Sequence, residues 1–168
     1  MMKQQYTSKE TSISTVNKVY TNMYFAPGSI ILDYGGGKYD KNVEYMQSKG
    51  CKVLVYDPYN RTEEHNRAVM EYVKNNSIDY VVCSNVLNVI KEDSVVQEVL
   101  TDIHNIQEVN KDKCVVYIKV YEGNKSGIGK QTKKGYQRNL STKNYLSLVS
   151  KFLPKCIIKK GTIISSYF

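Results

Sequence analysis

The segment SIILDYGGGKYD, residues 29–40, decides the fold of this chain. Its apolar run 30–32 ends in an acid, Asp33, and three consecutive glycines follow at 35–37. This order is typical of a buried parallel strand that leads into a tight turn at the carboxyl edge of an α/β sheet, where such folds bind ligands. Glycine suits the turn because it reaches positive φ and lets a ligand approach without meeting a Cβ. The segment therefore predicts a ligand site in an α/β sheet.

The spacing of the glycines narrows the class of ligand. A dinucleotide site needs G-x-G-x-x-G, but the third glycine position counted from Gly35 is Asp40, whose carboxylate would repel a phosphate. The phosphate-loop pattern G-x-x-x-x-G-K-[ST] does not fit either. A second acid, Asp57, ends the next apolar run, where it can accept hydrogen bonds from ribose hydroxyls. The pattern predicts a nucleoside that carries a cationic tail.

At this point the sequence resembles the class I S-adenosylmethionine-dependent methyltransferases. Residues 33–37 match their first motif, Asp57 their ribose acid, and 79–87 their fourth strand and the loop after it. The segments ILDYGGGK, YDP and VLNVI, in that order, are similar to the methyltransferases associated with DNA phosphorothioation and to short phage-type relatives. The resemblance covers roughly residues 29–105. One departure is Tyr39, which stands where the family has its third glycine and would crowd the methionine end or cover the adenosine.

The resemblance implies a Rossmann-like α/β fold: a doubly wound, mostly parallel sheet with one antiparallel edge strand and helices on both faces. It implies S-adenosyl-L-methionine as the cofactor and no metal. The cofactor-binding positions that it implies are Asp33, Tyr34, Gly35, Gly36, Gly37, Asp57, Pro58, Cys83 and Ser84. Ser84 and Asn85 would face the methyl acceptor as candidate catalytic residues, although polar residues at a strand end often only satisfy the backbone.

The alternation of apolar patterns predicts the order of the elements. We expect one domain, 1–168, with an N-terminal helical lead at 1–28 and a basic loop insertion at 121–143. Because only 21 residues separate Asp57 from Asp79, the third strand of the fold is expected to be short or degenerate, within 69–73. The periodicities predict helices near 12–25, 40–49, 63–74, 93–109 and 141–152, strands near 29–34, 52–57, 80–83 and 114–120, and a hairpin over 156–167.

Positive charge is concentrated in the C-terminal part of the chain. The net charge is +8, and residues 111–160 hold 13 of the 24 lysines and arginines but only two acids. Such an asymmetry indicates an anionic partner, and we expect DNA or RNA to contact this segment. A lysine-rich solvated surface is the alternative. The candidate substrate-binding residues, all within the basic loop, are Lys130, Lys133, Lys134 and Arg138.

Several other classes are excluded. Exocyclic-amine DNA methyltransferases carry a Pro-Pro-aromatic motif after the fourth strand, and residues 83–87 contain no proline; a Pro-Cys nucleophile is also missing. The four cysteines are too far apart for a zinc knuckle or a redox pair. The sequence lacks an apolar run of membrane-spanning length and a signal-peptide core, so we expect a cytoplasmic protein, in the host cytoplasm if it is phage-encoded.

The sequence thus predicts a methyltransferase whose acceptor is a nucleic acid. Two alternatives remain open: a non-catalytic cofactor-binding module or partner subunit, and a methyltransferase that acts on a small molecule. Tyr39 and the missing catalytic motif favour the first alternative.

Overall fold

A computed structural model of the chain describes residues 3–6 and 15–168. Its main sheet contains six strands, which are β1 (Ile30–Tyr34), β2 (Lys52–Tyr56), β3 (Tyr80–Ser84), β4 (Val115–Lys119), β7 (Ile157–Lys159) and β8 (Thr162–Ser165). Their order across the sheet is β2-β1-β3-β4-β8-β7. The first four are parallel, and β8 is antiparallel to both of its neighbours. The predicted fold class is confirmed.

Helices cover both faces of this sheet. The described helices are α1 (Lys18–Asn22), α2 (Lys41–Ser48), α3 (Glu63–Asn75), α4 (Asp93–Val109) and α5 (Thr142–Val149), with a short 3-10 turn at Leu87–Val89. Side chains alternate along β1, so that Ile31 packs with α1 and α2 while Leu32 packs with α3, α4 and α5. Burial of both faces is what a central parallel strand requires. None of the helices in the described part of the chain is long and apolar enough to cross a bilayer.

The predicted N-terminal helix is much shorter than expected. Helix α1 begins after Asn17, whose side chain accepts a hydrogen bond from the Val19 amide and so caps the first turn. The chain is extended again at Met23, four residues before Pro27. The prediction of a helix over 12–25 is therefore wrong for 15–17 and for 23–25, and its first residues, 12–14, lie outside the described part of the chain.

The prediction of a third strand within 69–73 is also wrong, because these residues belong to helix α3. Strand β2 is therefore an edge of the sheet, and side chains of α3 satisfy its backbone. His65 Nε2 donates to the Val55 carbonyl at 2.7 Å. The Asn66 amide pairs with both backbone groups of Asp57, at 3.0 Å to its nitrogen and 2.9 Å to its carbonyl. Side chains from the first turn of α3 thus form hydrogen bonds with backbone groups that a neighbouring strand would otherwise pair with.

The basic segment 121–143 contains a hairpin that the sequence did not predict. Its strands are β5 (Lys130–Thr132) and β6 (Gly135–Gln137), which pair antiparallel to each other and not with the main sheet. The Asn139 side chain holds the base of this segment, because it donates to the Ile128 carbonyl and accepts from the Asn124 amide. Helix α5 then begins after Ser141, and the predicted C-terminal hairpin is confirmed as β7 and β8.

Candidate functional site

A cavity of about 960 Å³ opens at the carboxyl ends of the four parallel strands. The loops after β1, β2, β3 and β4 form its floor and walls, and segments 15–18 and 132–137 complete them. Ligands of open α/β sheets bind at this edge, and the volume lies in the upper part of the range for small-molecule sites. The cavity therefore has the position and the size of a ligand site.

The glycine loop after β1 is constrained by its neighbours as well as by its backbone. Gly35 and Gly37 both have φ of +81°. A Cβ on Gly35 would overlap the side chain of Val86 in the loop after β3. A Cβ on Gly36 would lie 2.6 Å from Cγ of Asp33. Glycine is needed at 35 and 36 for close packing, and this packing fixes the loop that lines the cavity.

Asp33 is a buried acid directly under the glycine loop, and it lines the cavity. The phenol of Tyr20, on helix α1, faces its carboxylate. Burial, and then the charge of Asp33, raises the pKa of Tyr20 well above its usual value. The Tyr20 phenol beside the acid is therefore neutral. A negative charge held under a glycine loop favours a cationic group on the ligand.

The carboxylate of Asp57 accepts four hydrogen bonds from within the chain. Oδ2 accepts from the Gly37 amide at 2.9 Å and from Asn60 Nδ2 at 3.1 Å. Oδ1 accepts from the amides of Tyr59 and Asn60, both at 3.0 Å. A carboxylate has about four acceptor positions, and Asp57 is only 4% exposed. Asp57 thus links the glycine loop to the loop after β2, and its contact with a ribose stays a prediction.

Arg61 forms a second link between these two loops, and the sequence analysis did not single it out. Its Nε donates to the Gly37 carbonyl at 2.7 Å, and its guanidinium forms an ion pair with Asp40 at 2.8 Å. Asp40, the residue that excluded a dinucleotide site, is thus bound by a cation. Tyr39 lies on the surface, 36% exposed, and is not among the residues that line the cavity.

The loop after β3 brings the candidate catalytic residues to the cavity. Ser84 Oγ accepts from Asn17 Nδ2 at 2.8 Å, so the segment before α1 is joined to this loop. Asn85 is exposed and has φ of +59°, and its amide donates to the Lys119 carbonyl at 2.8 Å. Cys83 is fully buried in the core and does not line the cavity. Burial raises the pKa of the Cys83 thiol, which is therefore protonated.

The N-terminal half of helix α4 forms a wall of mixed character. Val95 and Val99 provide an apolar surface, and Glu98 and Asp102 add carboxylates. The Tyr34 phenol donates to Asp102 Oδ2 at 2.7 Å. Burial first, and then this hydrogen bond, raises the pKa of Tyr34. This wall suits a flat heterocycle with N–H groups at its edge.

The hairpin segment covers the opposite side of the cavity. Of the four candidate substrate-binding residues, only Lys134 lines the cavity; Lys130 and Lys133 are exposed on the hairpin. The Arg138 side chain is only 15% exposed: its guanidinium donates to the carbonyls of Ile90 and Lys91 and pairs with Asp93 at 2.9 Å. Arg138 therefore holds the hairpin segment against the start of helix α4.

Residues 3–6, which we call the N-terminal segment, lie across the mouth of the cavity. The Gln4 amide donates to the Tyr59 hydroxyl at 3.3 Å, and Gln4 lines the cavity. At the other end, the Tyr6 ring stacks on Tyr136 of the hairpin, with ring centroids 6.0 Å apart. The N-terminal segment thus contacts both the loop after β2 and the hairpin.

Asn88 is a further polar residue of the cavity wall that the sequence analysis missed. It lies in the turn Leu87–Val89 and is 2% exposed, and its Oδ1 has no hydrogen-bond partner. The motif VLNVI contains it, but the sequence offers no sign that its side chain is unpaired. Among the described residues, no cluster of histidine, cysteine or acidic side chains has the arrangement of a metal site.

The fold is that of the Rossmann-like α/β proteins with a mostly parallel sheet. One solved structure with this fold is a TehB-like SAM-dependent methyltransferase from Corynebacterium glutamicum ATCC 13032 Kitasato. It matches 84% of this chain and 82% of its own length with a TM-score of 0.50, at 15% sequence identity. No protein-family model and no curated protein sequence matches the chain. At this identity the structural likeness shows the shared fold.

Proposed function

We propose that the chain is a class I S-adenosylmethionine-dependent methyltransferase that acts on a nucleic acid. The observation that carries the proposal is the cavity at the ends of β1 to β4, where the buried carboxylate of Asp33 lies under a tight glycine loop. The fold shared with a solved methyltransferase supports it. So does the resemblance of three sequence segments to the methyltransferases associated with DNA phosphorothioation.

The residues around the glycine loop fit the chemistry of this cofactor. Asp33 offers a negative charge where the methionine ammonium and the sulfonium need one, and the absence of Cβ atoms at Gly35 and Gly36 lets the loop pack closely. The wall formed by helix α4 offers adenine an apolar face, from Val95 and Val99, and carboxylate oxygens. Asp57 Oδ2 accepts a hydrogen bond from the Asn60 side chain. A ribose hydroxyl would bind Asp57 by taking the place of this donor.

Methyl transfer asks the protein mainly for positioning and for exclusion of water, because the cofactor supplies a methyl group that is already electrophilic. The N-terminal segment and the hairpin segment both border the cavity, and we assign the exclusion of water to them. Ser84 and Asn85 lie at the end of β3, beside the half of the cavity that the glycine loop does not line. We assign the acceptor to that half, with Ser84 and Asn85 as its polar contacts.

A nucleic-acid acceptor accounts for the charge distribution. Residues 111–160 carry 13 lysines and arginines against two acids, and Lys130 and Lys133 project from a hairpin whose next lysine, Lys134, lines the cavity. Phosphate contacts of this kind predict a steep fall of activity with salt. A small-molecule acceptor predicts activity that salt hardly changes. The position of Tyr39 outside the cavity removes one of the two reasons for a non-catalytic module.

The test is transfer of labelled methyl from S-adenosylmethionine into host DNA, RNA, protein and small-molecule pools at two salt concentrations. Asp33→Asn keeps the shape of the buried acid and removes its charge, so we expect loss of cofactor binding and of label. Asp57→Ala is less informative because it also breaks the link between the two loops. The exposed acid Asp112 provides the control, Asp112→Asn, for which we expect wild-type activity.

The outcomes separate the three functions. Salt-sensitive label in nucleic acid supports the proposal. Label in the small-molecule pool that salt does not change would identify a methyltransferase that acts on a small molecule. Tight binding of S-adenosylhomocysteine with no label in any pool would assign the partner-subunit function. If S-adenosylhomocysteine did not bind, the result would contradict the proposal that S-adenosylmethionine is the cofactor.

A further inference from the structure

Arg61 holds the end of the glycine loop through three acceptors. Its Nε donates to the Gly37 carbonyl at 2.7 Å, and its Nη2 donates to the Tyr39 carbonyl at 3.1 Å. The same Nη2 forms the ion pair with Asp40 at 2.8 Å. The Arg61 side chain is only 14% exposed, and hydrogen bonds from a charged donor are among the stronger ones. One side chain therefore holds the chain from residue 37 to residue 40.

Gly37 is held from both sides at the border of the cavity. Its carbonyl accepts from Arg61, and its amide donates to Asp57 Oδ2 at 2.9 Å. The Arg61 amide itself donates to the Asp57 carbonyl at 3.1 Å, so both partners of Gly37 belong to the loop after β2. Gly37 and Asp57 line the cavity, whereas Arg61 does not. Arg61 thus acts on the cavity wall through Gly37.

Asp40 indicates what the loop would do without Arg61. It is the N-cap residue of helix α2, a position at which an aspartate side chain usually accepts a hydrogen bond from an amide of the first turn. Here the Asp40 side chain forms no such bond, and its φ of −102° and ψ of 17° lie outside the extended region typical of a capping residue. The carboxylate therefore has two alternative partners: the Arg61 guanidinium, which it binds, and amides 42 and 43 of α2.

We propose that Arg61 is a positioning residue for the cofactor, an inference that rests on the proposed methyltransferase function. Arg61 selects the loop arrangement in which Gly37 forms part of the cavity wall, against a second arrangement in which Asp40 caps helix α2. Without Arg61 both arrangements are populated. S-adenosylmethionine then binds only the molecules in the first arrangement, so its apparent affinity falls in proportion to their fraction.

Hydrogen exchange, followed by NMR on the protein without cofactor, tests the two arrangements directly. In Arg61→Ala the Gly37 amide should exchange roughly tenfold faster or more, because its bond to Asp57 is lost in the second arrangement. Amides 42 and 43 should exchange more slowly than in wild type, because they gain the Asp40 carboxylate as an acceptor. A residue that only stabilised the loop would not slow any amide. Unchanged exchange at 37, or exchange at 42 and 43 that is not slowed, would overturn the proposal.

Binding of S-adenosylhomocysteine tests the consequence for the cofactor. We expect its dissociation constant to rise roughly tenfold or more in Arg61→Ala, the ratio for a binding-competent arrangement that falls to about one tenth of the molecules. The association rate should carry this loss, and the dissociation rate should stay within about twofold, because the bound loop has the same arrangement in both proteins. A loss carried by the dissociation rate would overturn the proposal.

Two further variants separate this role from a loss of stability. Arg61→Lys keeps a cation beside Asp40 and should bind S-adenosylhomocysteine more tightly than Arg61→Ala; equal affinities would overturn the proposal. Adding Asp40→Ala to Arg61→Ala removes the side chain that would cap α2, so the double variant should bind more tightly than Arg61→Ala alone. No recovery would also overturn it. If Arg61→Ala does not fold, Arg61→Gln takes its place in both comparisons.

Arg67 provides a matched control, because Arg67→Ala removes the same charge from the exposed side of helix α3. Its guanidinium pairs with Glu63 at 3.5 Å, and both side chains are largely exposed. We expect wild-type affinity for S-adenosylhomocysteine, and a loss as large as that of Arg61→Ala would overturn the proposal by assigning the effect to net charge. Equal binding by wild type and Arg61→Ala would overturn this inference alone. Wild-type protein that does not bind S-adenosylhomocysteine would overturn the proposed function with it.

Discussion

Asn66 joins helix α3 to the end of strand β2, and its truncation to alanine tests how the ligand loops are held. The side-chain amide satisfies both the N–H and the C=O of Asp57, and Asn66 itself is buried. Asn66→Ala leaves these two buried backbone groups without the side chain that pairs with them. Each loss costs roughly 1–3 kcal/mol, so we expect about 3 kcal/mol less stability in total. In a domain of this length that corresponds to a fall in Tm of roughly 6–12 °C.

The assay is urea unfolding together with calorimetry, and helix α3 provides its own control. Asn75 is an exposed asparagine of the same helix whose side chain donates a hydrogen bond to Glu71 Oε1 at 3.1 Å. We expect Asn75→Ala to cost less than about 0.5 kcal/mol. Asn66→Ala should also weaken S-adenosylhomocysteine binding, because the Asp57 carboxylate would no longer be held against Gly37. If the two variants lost the same stability, the pairing of Asn66 with β2 would not support the edge of the sheet.

Three further predictions follow from the site. Gly35→Ala introduces a Cβ at φ of +81° that overlaps Val86; we expect a loss of roughly 2–3 kcal/mol in urea unfolding, partly restored by Val86→Ala, and no restoration would argue against the overlap. Arg138→Ala removes the contacts that hold the hairpin segment, so amides 130–137 should exchange with deuterium roughly tenfold faster or more, whereas unchanged exchange would contradict this role. The Thr142 amide lowers the pKa of Glu122, so the contribution of Glu122 is present above the usual carboxyl pKa and is lost as pH falls through the lowered one. Glu122→Gln should therefore reduce stability at neutral pH and not at the acidic end, and a loss independent of pH would contradict this.

The sequence predicted the parts of the fold that depend on local pattern. The apolar run before Asp33 and the alternation of apolar segments identified the central strands, because burial on both faces leaves a pattern in the residues themselves. The prediction of a third strand within 69–73 was wrong. It came from the resemblance to the family, whereas residues 63–75 themselves have the apolar spacing of a helix. The hairpin was missed because short polar strands such as Lys130–Thr132 have no apolar alternation.

The candidate site was predicted less completely, for a related reason. A sequence shows that Asp57 follows a strand, but it does not show that four donors from the surrounding loops fill its carboxylate. Cys83 precedes Ser84 by one residue, and alternation along the strand turns the thiol into the core while the hydroxyl meets the cavity. Asn88 could not have been distinguished from any other loop asparagine, because the lack of a partner is a property of the packed structure.

The two covers of the cavity meet at the stacked rings of Tyr6 and Tyr136, and this contact bears on how a base would enter. Arg138, two residues after Tyr136, holds the hairpin segment at its base through the carbonyls of Ile90 and Lys91. Bases stack on aromatic side chains with energies of about 1–3 kcal/mol, comparable to the stacking of two tyrosine rings. A nucleobase that stacked on Tyr136 in place of Tyr6 would therefore exchange one stacking contact for another of similar free energy.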